Sequence, residues 1–323
     1  MSTVCLLINT DNNAAPKNHT ALANALLKHG SDVYLGAIES MHMEGDKIYA
    51  DCHHLKTNMS CGEIPERYRD RACLNHMDFC WVLGFGKREA FLDYIELMWI
   101  LSQSSTLINS PEALMFANNK YSTQLFCPDN CPETYASSDF EYLWNKYKEN
   151  NSSTWIIKPP AESHGRDVYL LKPEDKNARV IIQSMTGNKN NRFCLLQKYI
   201  TEIQKGEKRV LLAGGKPICQ YGRRPSNDDH RTNIHQNGLA FTCELSDNER
   251  SLLEALGKKL LAIGAYFVGV DMAYPYIVEL NVVNPGGLNT IYELCGQDFG
   301  LDVVREVLSS TKESSAQKTS FHE

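Results

Sequence analysis

Residues 265–290 read AYFVGVDMAYPYIVELNVVNPGGLNT, and they predict two apolar β-strands joined by a tight turn at a Tyr-Pro dipeptide. On such strands Asp271 and Glu279 lie roughly opposite each other, and Asn281 shares the face of Glu279 because it follows by two residues. Unpaired carboxylates are costly to bury, so this convergence predicts a compensating cation. Oxygen ligands of this kind suit Mg²⁺, which commonly arrives with nucleotide phosphates. The alternative is a strand pair whose acidic residues are solvated.

The composition is that of a globular protein with two or three subdomains. The chain has 323 residues, of which 42% are hydrophobic and 22% charged. A net charge of −6 argues against a nucleic-acid partner. No apolar run approaches the ~20 residues that span a bilayer, and the N-terminus lacks the basic flank of a signal peptide. The 11 cysteines include no CxxC pair. We therefore expect a cytoplasmic protein with reduced thiols and no membrane partner.

Short apolar strands alternate with helices over residues 1–108, which predicts an α/β domain with a parallel sheet. The strands are expected at 3–10, 32–38, 78–85 and 105–109, and the helices at 19–29 and 89–102. Ser110 can then cap a helix that has Pro111 at its first position. This helix is expected to carry Lys120 and to end before Pro128.

A second α+β region follows, in two parts. The part at 109–190 is expected to hold a helix at 139–148 and strands at 154–160 and 168–172. The part at 191–308 is expected to hold a strand at 194–200, a hairpin over 208–224 that turns at Gly214-Gly215, and a helix that starts at a capping box of Ser246 and Glu249. The polar residues 309–323 are expected to be disordered.

The order of these segments resembles that of ATP-grasp ligases, and most closely that of bacterial glutathione synthetase. Four segments carry the likeness: INSPEALMFANNKYSTQLF, WIIKPP, LLQKYITEIQKGEKRVLLAGGKPI and FVGVDMAYPYIVELNVVNP. The likeness covers residues 105–292 and extends more weakly to the N-terminal domain. It implies an ATP-grasp fold with an N-terminal Rossmann-like pre-ATP-grasp domain at 1–108. It also implies a central subdomain with a lid loop at 109–190 and a metal-binding subdomain at 191–308.

The resemblance implies an ATP-dependent, ADP-forming carboxylate–amine ligase. In such enzymes the carboxylate takes the γ-phosphoryl group of ATP, and the amine then attacks the acyl phosphate. This chemistry depends mainly on positioning and charge neutralisation. The implied cofactors are ATP and Mg²⁺, with Mn²⁺ as the alternative ion. The implied partners are an amino acid or short peptide, and further copies of the chain in a homo-oligomer.

The resemblance also assigns roles to residues of this sequence. The nucleotide-binding residues are two phosphate-binding lysines, a segment along the adenine and an acid near the ribose: Lys120, Lys158, Gln197, Lys198, Tyr199, Ile200 and Glu207. The metal ligands are Asp271, Glu279 and Asn281. The catalytic residues are Arg209, and Arg231 and Asn233 of the segment HRTNIHQNG. Lys208 is expected to point with Arg209 toward the phosphates. The residues that touch substrate are Asn284, Gly286 and Gly287.

Three segments depart from the glutathione synthetase pattern. The lid, PPAESHGRDVYLL, has Gly165 as its only glycine, where phosphate-covering loops favour several. The segment after the third strand reads GFGKREAFLDY, where Lys87 and Arg88 can bind a substrate carboxylate. The loop after Asn281 reads NPGGLN, where glutathione synthetase has a Ser/Thr-bearing, arginine-following loop. The leading hypothesis is the synthesis of glutathione from γ-glutamylcysteine and glycine. The alternatives are a ligase for another amino acid or peptide, and a nucleotide-binding module without ligase activity.

Overall fold

The computed structural model describes residues 1–10, 17–65, 68, 70–150, 152–160, 167–187, 189–224 and 239–319. The strands of these residues form three sheets, which follow one another along the chain. No helix within this part of the chain is both long enough and apolar enough to cross a membrane. The 11 cysteines are all free thiols.

The first sheet occupies the N-terminal third of the chain. Its strands are β1 (Thr3–Ile8), β2 (Asp32–Ala37), β3 (His42–Glu44), β4 (Lys47–Leu55), β5 (Asp70–Cys73), β6 (Phe79–Val82) and β7 (Thr106–Ile108). The helices α1 (Asn18–His29) and α2 (Phe91–Leu101) connect them. The order is β3-β4-β2-β1-β6-β7, with β5 paired to β4. Strands β1, β2, β6 and β7 are parallel, as predicted.

Part of this sheet is antiparallel, which was not predicted. Strand β4 pairs antiparallel with β2, β3 and β5. The two-residue turn Gly45-Asp46 joins β3 to β4, and Gly45 has a φ of +63°, the left-handed conformation that tight hairpins favour. The predicted parallel sheet is therefore a mixed one, because this turn sends the chain back along the edge of the sheet.

The second sheet has four antiparallel strands in the order β10-β9-β11-β8. They are β8 (Thr134–Ser137), β9 (Trp155–Lys158), β10 (Tyr169–Leu171) and β11 (Cys194–Lys198), and the helices α5 (Phe140–Glu149) and α6 (Ala178–Thr186) belong to the same region. Strand β11 pairs with both β8 and β9. The predicted boundary at 190/191 therefore separates β11 from the sheet to which it belongs.

The single helix predicted before Pro128 is two short helices. They are α3 (Pro111–Phe116) and α4 (Ser122–Phe126), and Lys120 lies in the turn between them. Ser110 caps α3 as predicted, through its side chain and the N–H of Ala113. The break follows from Asn119, whose side-chain oxygen accepts hydrogen bonds from the N–H groups of Tyr121 and Ser122. Asparagine often competes with the helix in this way.

The third sheet has five antiparallel strands in the order β14-β13-β12-β15-β16. They are β12 (Glu207–Ala213), β13 (Lys216–Arg224), β14 (Leu239–Phe241), β15 (Phe267–Ala273) and β16 (Tyr276–Asn281). Gly214 and Gly215 form the predicted turn, with φ angles of +55° and +73°. The helix α7 (Asp247–Leu261) packs on one face and begins at the predicted capping box of Ser246 and Glu249.

The opposite face of the third sheet packs against the N-terminal domain through α8 (Leu288–Cys295) and α9 (Gly300–Thr319). Leu211 and Phe267 from the third sheet share one core with Leu22 of α1 and Val304 of α9. The prediction of disorder from residue 309 is wrong as far as Thr319, because α9 continues to that residue. Its first half is anchored in the core, and a helix that is already nucleated extends at little cost through polar residues.

Candidate active site

Two acidic residues and an amide come together on β15 and β16, as predicted. Asp271 pairs with Glu279 across the two strands, and Gly269 pairs with Asn281. The amide nitrogen of Asn281 lies 3.4 Å from Oδ2 of Asp271. The carboxylate of Asp271 is buried, whereas the side chain of Glu279 is 34% exposed. The two acids share one face of the sheet, but Asp271 is enclosed and Glu279 is partly open to solvent.

Asp271 is enclosed by two arginines from the neighbouring strands. Arg209 of β12 binds both of its oxygens, through Nε to Oδ1 and through Nη2 to Oδ2, the latter at 2.8 Å. Arg223 of β13 places Nη2 2.7 Å from Oδ1 of Asp271 and 2.5 Å from Oε1 of Glu207. All four side chains are buried, with relative exposures of 3–8%. The four residues form a neutral, buried ion cluster, which we call the arginine–aspartate cluster.

The charges of this cluster stabilise one another. Burial alone would raise the pKa of Asp271, but the Arg209 and Arg223 guanidiniums hold it well below its usual range. Burial alone would lower the pKa of Arg223, but Asp271 and Glu207 raise it above its ordinary value. Asp271 and Arg223 are therefore ionised, and removal of one partner would leave a buried charge without compensation.

Arg223 was not singled out from the sequence. The two-residue turn at Gly214-Gly215, counted without a bulge, places Gly222 opposite Glu207. In the structure the register shifts between Leu211 and Leu212, where Ile218 is the extra residue, and Arg223 pairs with Glu207 instead. Because a shift of one residue reverses the faces of a strand, this bulge turns Arg223 toward Asp271. The sequence signal that could have identified it is that Arg223 lies at the end of the same hairpin whose other strand carries Arg209.

Lys158 lies on the second sheet and has a different environment. Its side chain is buried, and its Nζ donates to Oε1 of Gln197 at 2.7 Å. Gln197 in turn donates to Oγ1 of Thr134. Burial, and next the positive charge of Lys120, lower the pKa of Lys158 to about 8, while Glu279 and Glu207 act in the opposite direction. Lys158 is therefore a cation held by a neutral amide.

Lys120 connects the two regions. It lies in the turn between α3 and α4, and its Nζ is 3.0 Å from Oε1 of Glu279. Its backbone N–H donates to the carbonyl of Pro160, two residues after Lys158. The predicted phosphate-binding lysines and the predicted metal ligand Glu279 thus lie in one cleft.

The segment predicted to follow the adenine runs past the end of β11. The N–H groups of Lys198 and Tyr199 donate to the carbonyls of Glu133 and Thr154. Within the described part of the chain, nothing accepts a hydrogen bond from the N–H of Ile200. Ile200 therefore offers a backbone donor at this edge of the second sheet.

The predicted substrate loop joins β16 to α8. The carbonyl of Pro285 accepts a hydrogen bond from Nη1 of Arg209, and the N–H of Leu288 donates to the side chain of Asn18 at 3.3 Å. Gly286 and Gly287 have φ angles of +68° and +125°, which disfavour other residues. The loop is thus fixed between the arginine–aspartate cluster and the start of α1.

Some predicted residues lie elsewhere. Arg231 and Asn233, together with the lid residues from Ala161 to Arg166, lie outside the described residues. Lys208 was expected to point with Arg209 toward the phosphates, and this is wrong. Its Nζ binds Oε2 of Glu249 at 2.7 Å, on the other face of the third sheet, because successive strand residues alternate.

Of the residues that the structure describes, the cleft gathers four cationic side chains and three acidic ones. They are Lys120, Lys158, Arg209 and Arg223, and Glu207, Asp271 and Glu279. The excess positive charge suits a polyanion such as a nucleotide. Among the described residues, neither this cleft nor any other place groups three His, Cys, Asp or Glu side chains that could hold a metal ion. A metal bound at Glu279 and Asp271 would need oxygens from its accompanying ligand.

Comparison with known proteins identifies relatives of this chain. A family model described as the prokaryotic glutathione synthetase ATP-grasp domain matches residues 119–296. The glutathione synthetase of Buchnera aphidicola subsp. Baizongia pistaciae is 30% identical over 290 residues, which cover 87% of this chain and 86% of the relative. That of Coxiella burnetii is 30% identical over 223 residues, which cover 68% and 67% of the two chains. Other glutathione synthetases align over slightly less than two thirds of their own length.

Solved structures share the fold at much lower identity. The crystal structure of D-cycloserine synthetase DcsG has a TM-score of 0.69 with this chain at 11% sequence identity. The superposition covers 96% of this chain and 99% of the other. At such identity the likeness concerns the fold, and it includes the N-terminal sheet that lies outside the matched family model.

Proposed function

Because the chain belongs to the prokaryotic glutathione synthetase family of ATP-grasp ligases, we propose that it joins γ-glutamylcysteine to glycine with the consumption of ATP. In this reaction the cysteinyl carboxylate of γ-glutamylcysteine attacks the γ-phosphorus of ATP, which gives an acyl phosphate and ADP. The amine of glycine then attacks the acyl carbon, and inorganic phosphate leaves as the amide bond forms.

The lysines supply the positive charge for the nucleotide. Lys158 is buried beside a neutral amide and has a lowered pKa, so a phosphate oxygen offers it the counter-charge that its surroundings provide only weakly. Lys120 reaches the same cleft from the turn between α3 and α4. We propose that the N–H of Ile200 donates to the adenine edge, with Gln197, Lys198 and Tyr199 lining that side, and that Glu207 lies toward the ribose.

The proposed metal ligands are Asp271, Glu279 and Asn281, and the divalent ion is Mg²⁺, with Mn²⁺ as a substitute. The residue types suit such an ion, because carboxylate and amide groups lie on adjacent strands, and Asp271 binds it in exchange for one of its present donors. A divalent ion bound there would offset the negative charge of the phosphates. Glu279 is partly exposed and needs no rearrangement of the fold to bind it.

Arg209 is the described arginine proposed to act at the reacting phosphoryl group. Its guanidinium is fixed by Asp271 and by the carbonyl of Pro285, at the start of the proposed substrate loop. It therefore lies between the metal ligands and the loop of Asn284, Gly286 and Gly287. A guanidinium held in this way stabilises developing charge without reorganising. Arg231 and Asn233 are proposed to complete this set.

The observation that carries the proposal is the contact between Lys120 and Glu279, at 3.0 Å, in a chain of this family. It brings a lysine of the α3–α4 turn and an acid of the third sheet to the same point. The second sheet contributes Lys158 to the same electrostatic environment. A cleft lined in this way by cations and oxygen ligands suits a metal-bound nucleotide.

The test is phosphate release from Mg-ATP, with γ-glutamylcysteine and glycine supplied singly and together. We expect release only when both are present, with the tripeptide detected by mass spectrometry. A Glu279→Gln variant that retains wild-type turnover would contradict the metal role. ATP binding without phosphate release from any substrate pair would favour the nucleotide-binding module instead.

A ligase for another amino acid or peptide is the second candidate, and the substrate loop favours it. Two consecutive glycines, Gly286 and Gly287, adopt positive φ angles where the resemblance leads one to expect hydroxyl-bearing residues. Lys87 and Arg88 follow β6 in a segment that also departs from the family pattern. Phosphate release with a panel of amino acids and dipeptides separates the two candidates. The cytoplasmic location and the homo-oligomer stay predictions.

A further inference from the structure

The carboxylate of Asp271 has no vacant acceptor position in the structure. Its Oδ1 accepts from Nε of Arg209 and Nη2 of Arg223, and its Oδ2 accepts from Nη2 of Arg209 and the amide of Asn281. A carboxylate has about four lone-pair positions, and these four donors fill them. A metal ion therefore cannot bind Asp271 until one of the donors leaves.

Arg223 is the donor that can leave most readily. Arg209 binds Asp271 through two nitrogens and is held at Pro285 by a third. Arg223 contacts Asp271 through Nη2 alone, and the same nitrogen already binds Glu207 at 2.5 Å. Its Nε–H is buried, and within the described residues nothing accepts from it. Release from Asp271 leaves Arg223 its ion pair with Glu207, and an arriving anion would satisfy the Nε donor.

The charge of the cleft opposes a metal ion that arrives alone. Among the described residues, the four cations exceed the three acids by one charge, and a divalent ion would add two more. Charges in a buried site interact strongly because water screens them poorly. A nucleotide brings the negative charge that reverses this balance, and its phosphates supply the oxygens that the protein lacks.

We propose that Arg223 occupies the metal position on Asp271 in the nucleotide-free protein, so that a divalent metal binds only together with the nucleotide. Arg223 is thus an internal counter-ion: it neutralises Asp271 until the metal replaces it. The proposal rests on the metal site given under Proposed function. It makes Arg223 a positioning residue, which acts through Asp271.

The probe is Mn²⁺ added without nucleotide. Its binding is measured as the loss of the free-ion signal in electron paramagnetic resonance. We expect little binding to the wild-type protein. Arg223→Gln removes the counter-ion and should bind one Mn²⁺ at least about tenfold more tightly. A second change, Glu279→Gln in the Arg223→Gln protein, should abolish the gained site, which identifies its location.

Lys208→Gln is the matched control. Lys208 lies in β12 and forms an ion pair with Glu249 on the face away from the cleft, so its loss should leave Mn²⁺ binding as in the wild type. Circular dichroism establishes that each variant is folded. Arg223→Lys keeps the charge but not the forked geometry. It replaces Arg223→Gln in the Mn²⁺ binding measurement if Arg223→Gln does not fold. Its expected affinity lies between those of the wild type and Arg223→Gln.

Two results would overturn the proposal. The first is nucleotide-free wild-type protein that binds Mn²⁺ at the Glu279 site as tightly as the protein with a non-hydrolysable ATP analogue. The second is a folded Arg223 variant with no gain in affinity. Neither measurement needs turnover. A failure of the ligase assay would therefore reject the proposed reaction without deciding the role of Arg223.

Discussion

The two sheets that line the cleft compensate their buried charges in opposite ways. On the third sheet, Asp271, Arg209, Arg223 and Glu207 neutralise one another. On the second sheet, Lys158 is buried against the neutral amide of Gln197. We propose that the first arrangement opens to admit a metal and that the second binds a phosphate of the nucleotide. The same cleft thus combines a neutral ion cluster with a buried cation that lacks a carboxylate partner.

The largest expected effect comes from breaking the arginine–aspartate cluster of the third sheet. Asp271→Asn leaves two buried guanidiniums without their shared carboxylate, which should lower the free energy of unfolding by about 3–5 kcal/mol and abolish turnover. Glu279→Gln should also abolish turnover, but the partly exposed pair with Lys120 contributes at most about 1 kcal/mol to stability. Urea unfolding of both variants checks the difference. Equal losses of stability would show that the two acids do not differ as the structure indicates.

Replacement of Lys158, on the second sheet, should change the free energy of unfolding in the opposite direction. Lys158→Met removes a buried cation that lacks a carboxylate partner, so the nucleotide-free protein should become more stable by about 1 kcal/mol. ATP affinity should fall roughly 10- to 100-fold, because a charge-assisted hydrogen bond to phosphate is lost. Thermal unfolding and isothermal titration calorimetry measure the two effects. A destabilised variant with unchanged ATP affinity would contradict the role of Lys158.

The pH dependence provides a finer test of the same contrast. Burial and Lys120 lower the pKa of Lys158 to about 8, below its ordinary value of 10.5. The unfolded chain therefore binds more protons between these pH values, so the contribution of Lys158 to stability rises as the pH goes from about 8 to 10.5. ATP affinity should fall over the same interval, because the phosphate needs the protonated amine. Isothermal titration calorimetry across this pH range measures the ATP affinity. In Lys158→Met, the ATP affinity should no longer depend on pH in this interval.

The smallest expected effect comes from an exposed ion pair on the same strand as Arg223. Lys216 of β13 binds Glu306 of α9 at 2.8 Å, with the lysine side chain 67% exposed. Lys216→Gln should change the free energy of unfolding by less than about 1 kcal/mol and leave ATP affinity unchanged. Urea unfolding compares it with Asp271→Asn. If Lys216→Gln lost as much stability as Asp271→Asn, burial would not explain why the two ion pairs differ.

The sequence was most informative where residues that are close in the chain decide the structure. Gly214-Gly215 gave the predicted turn, Ser246 and Glu249 gave the predicted capping box, and the apolar segments around Asp271 and Glu279 gave the predicted strands. It was less informative at Asn119, where one side chain breaks a helix. It was also wrong for 309–319, where a buried stripe earlier in α9 supports a polar continuation.

The sequence by itself thus determined the family, the three groups of strands and nearly all the described residues of the cleft. The sequence predicted Asp271 roughly opposite Glu279, but only the tertiary structure fixed the register in which the charged residues meet. A count from each tight turn places Val278 opposite Asp271 and Gly222 opposite Glu207. Bulges at Val278 and Ile218 shift both pairings by one residue, to Glu279 and Arg223. A one-residue shift exchanges the faces of a strand, and a bulge is set by the packing of the whole sheet. The short-range pattern therefore supplies the charged residues, and the register of the folded sheet joins them into a site.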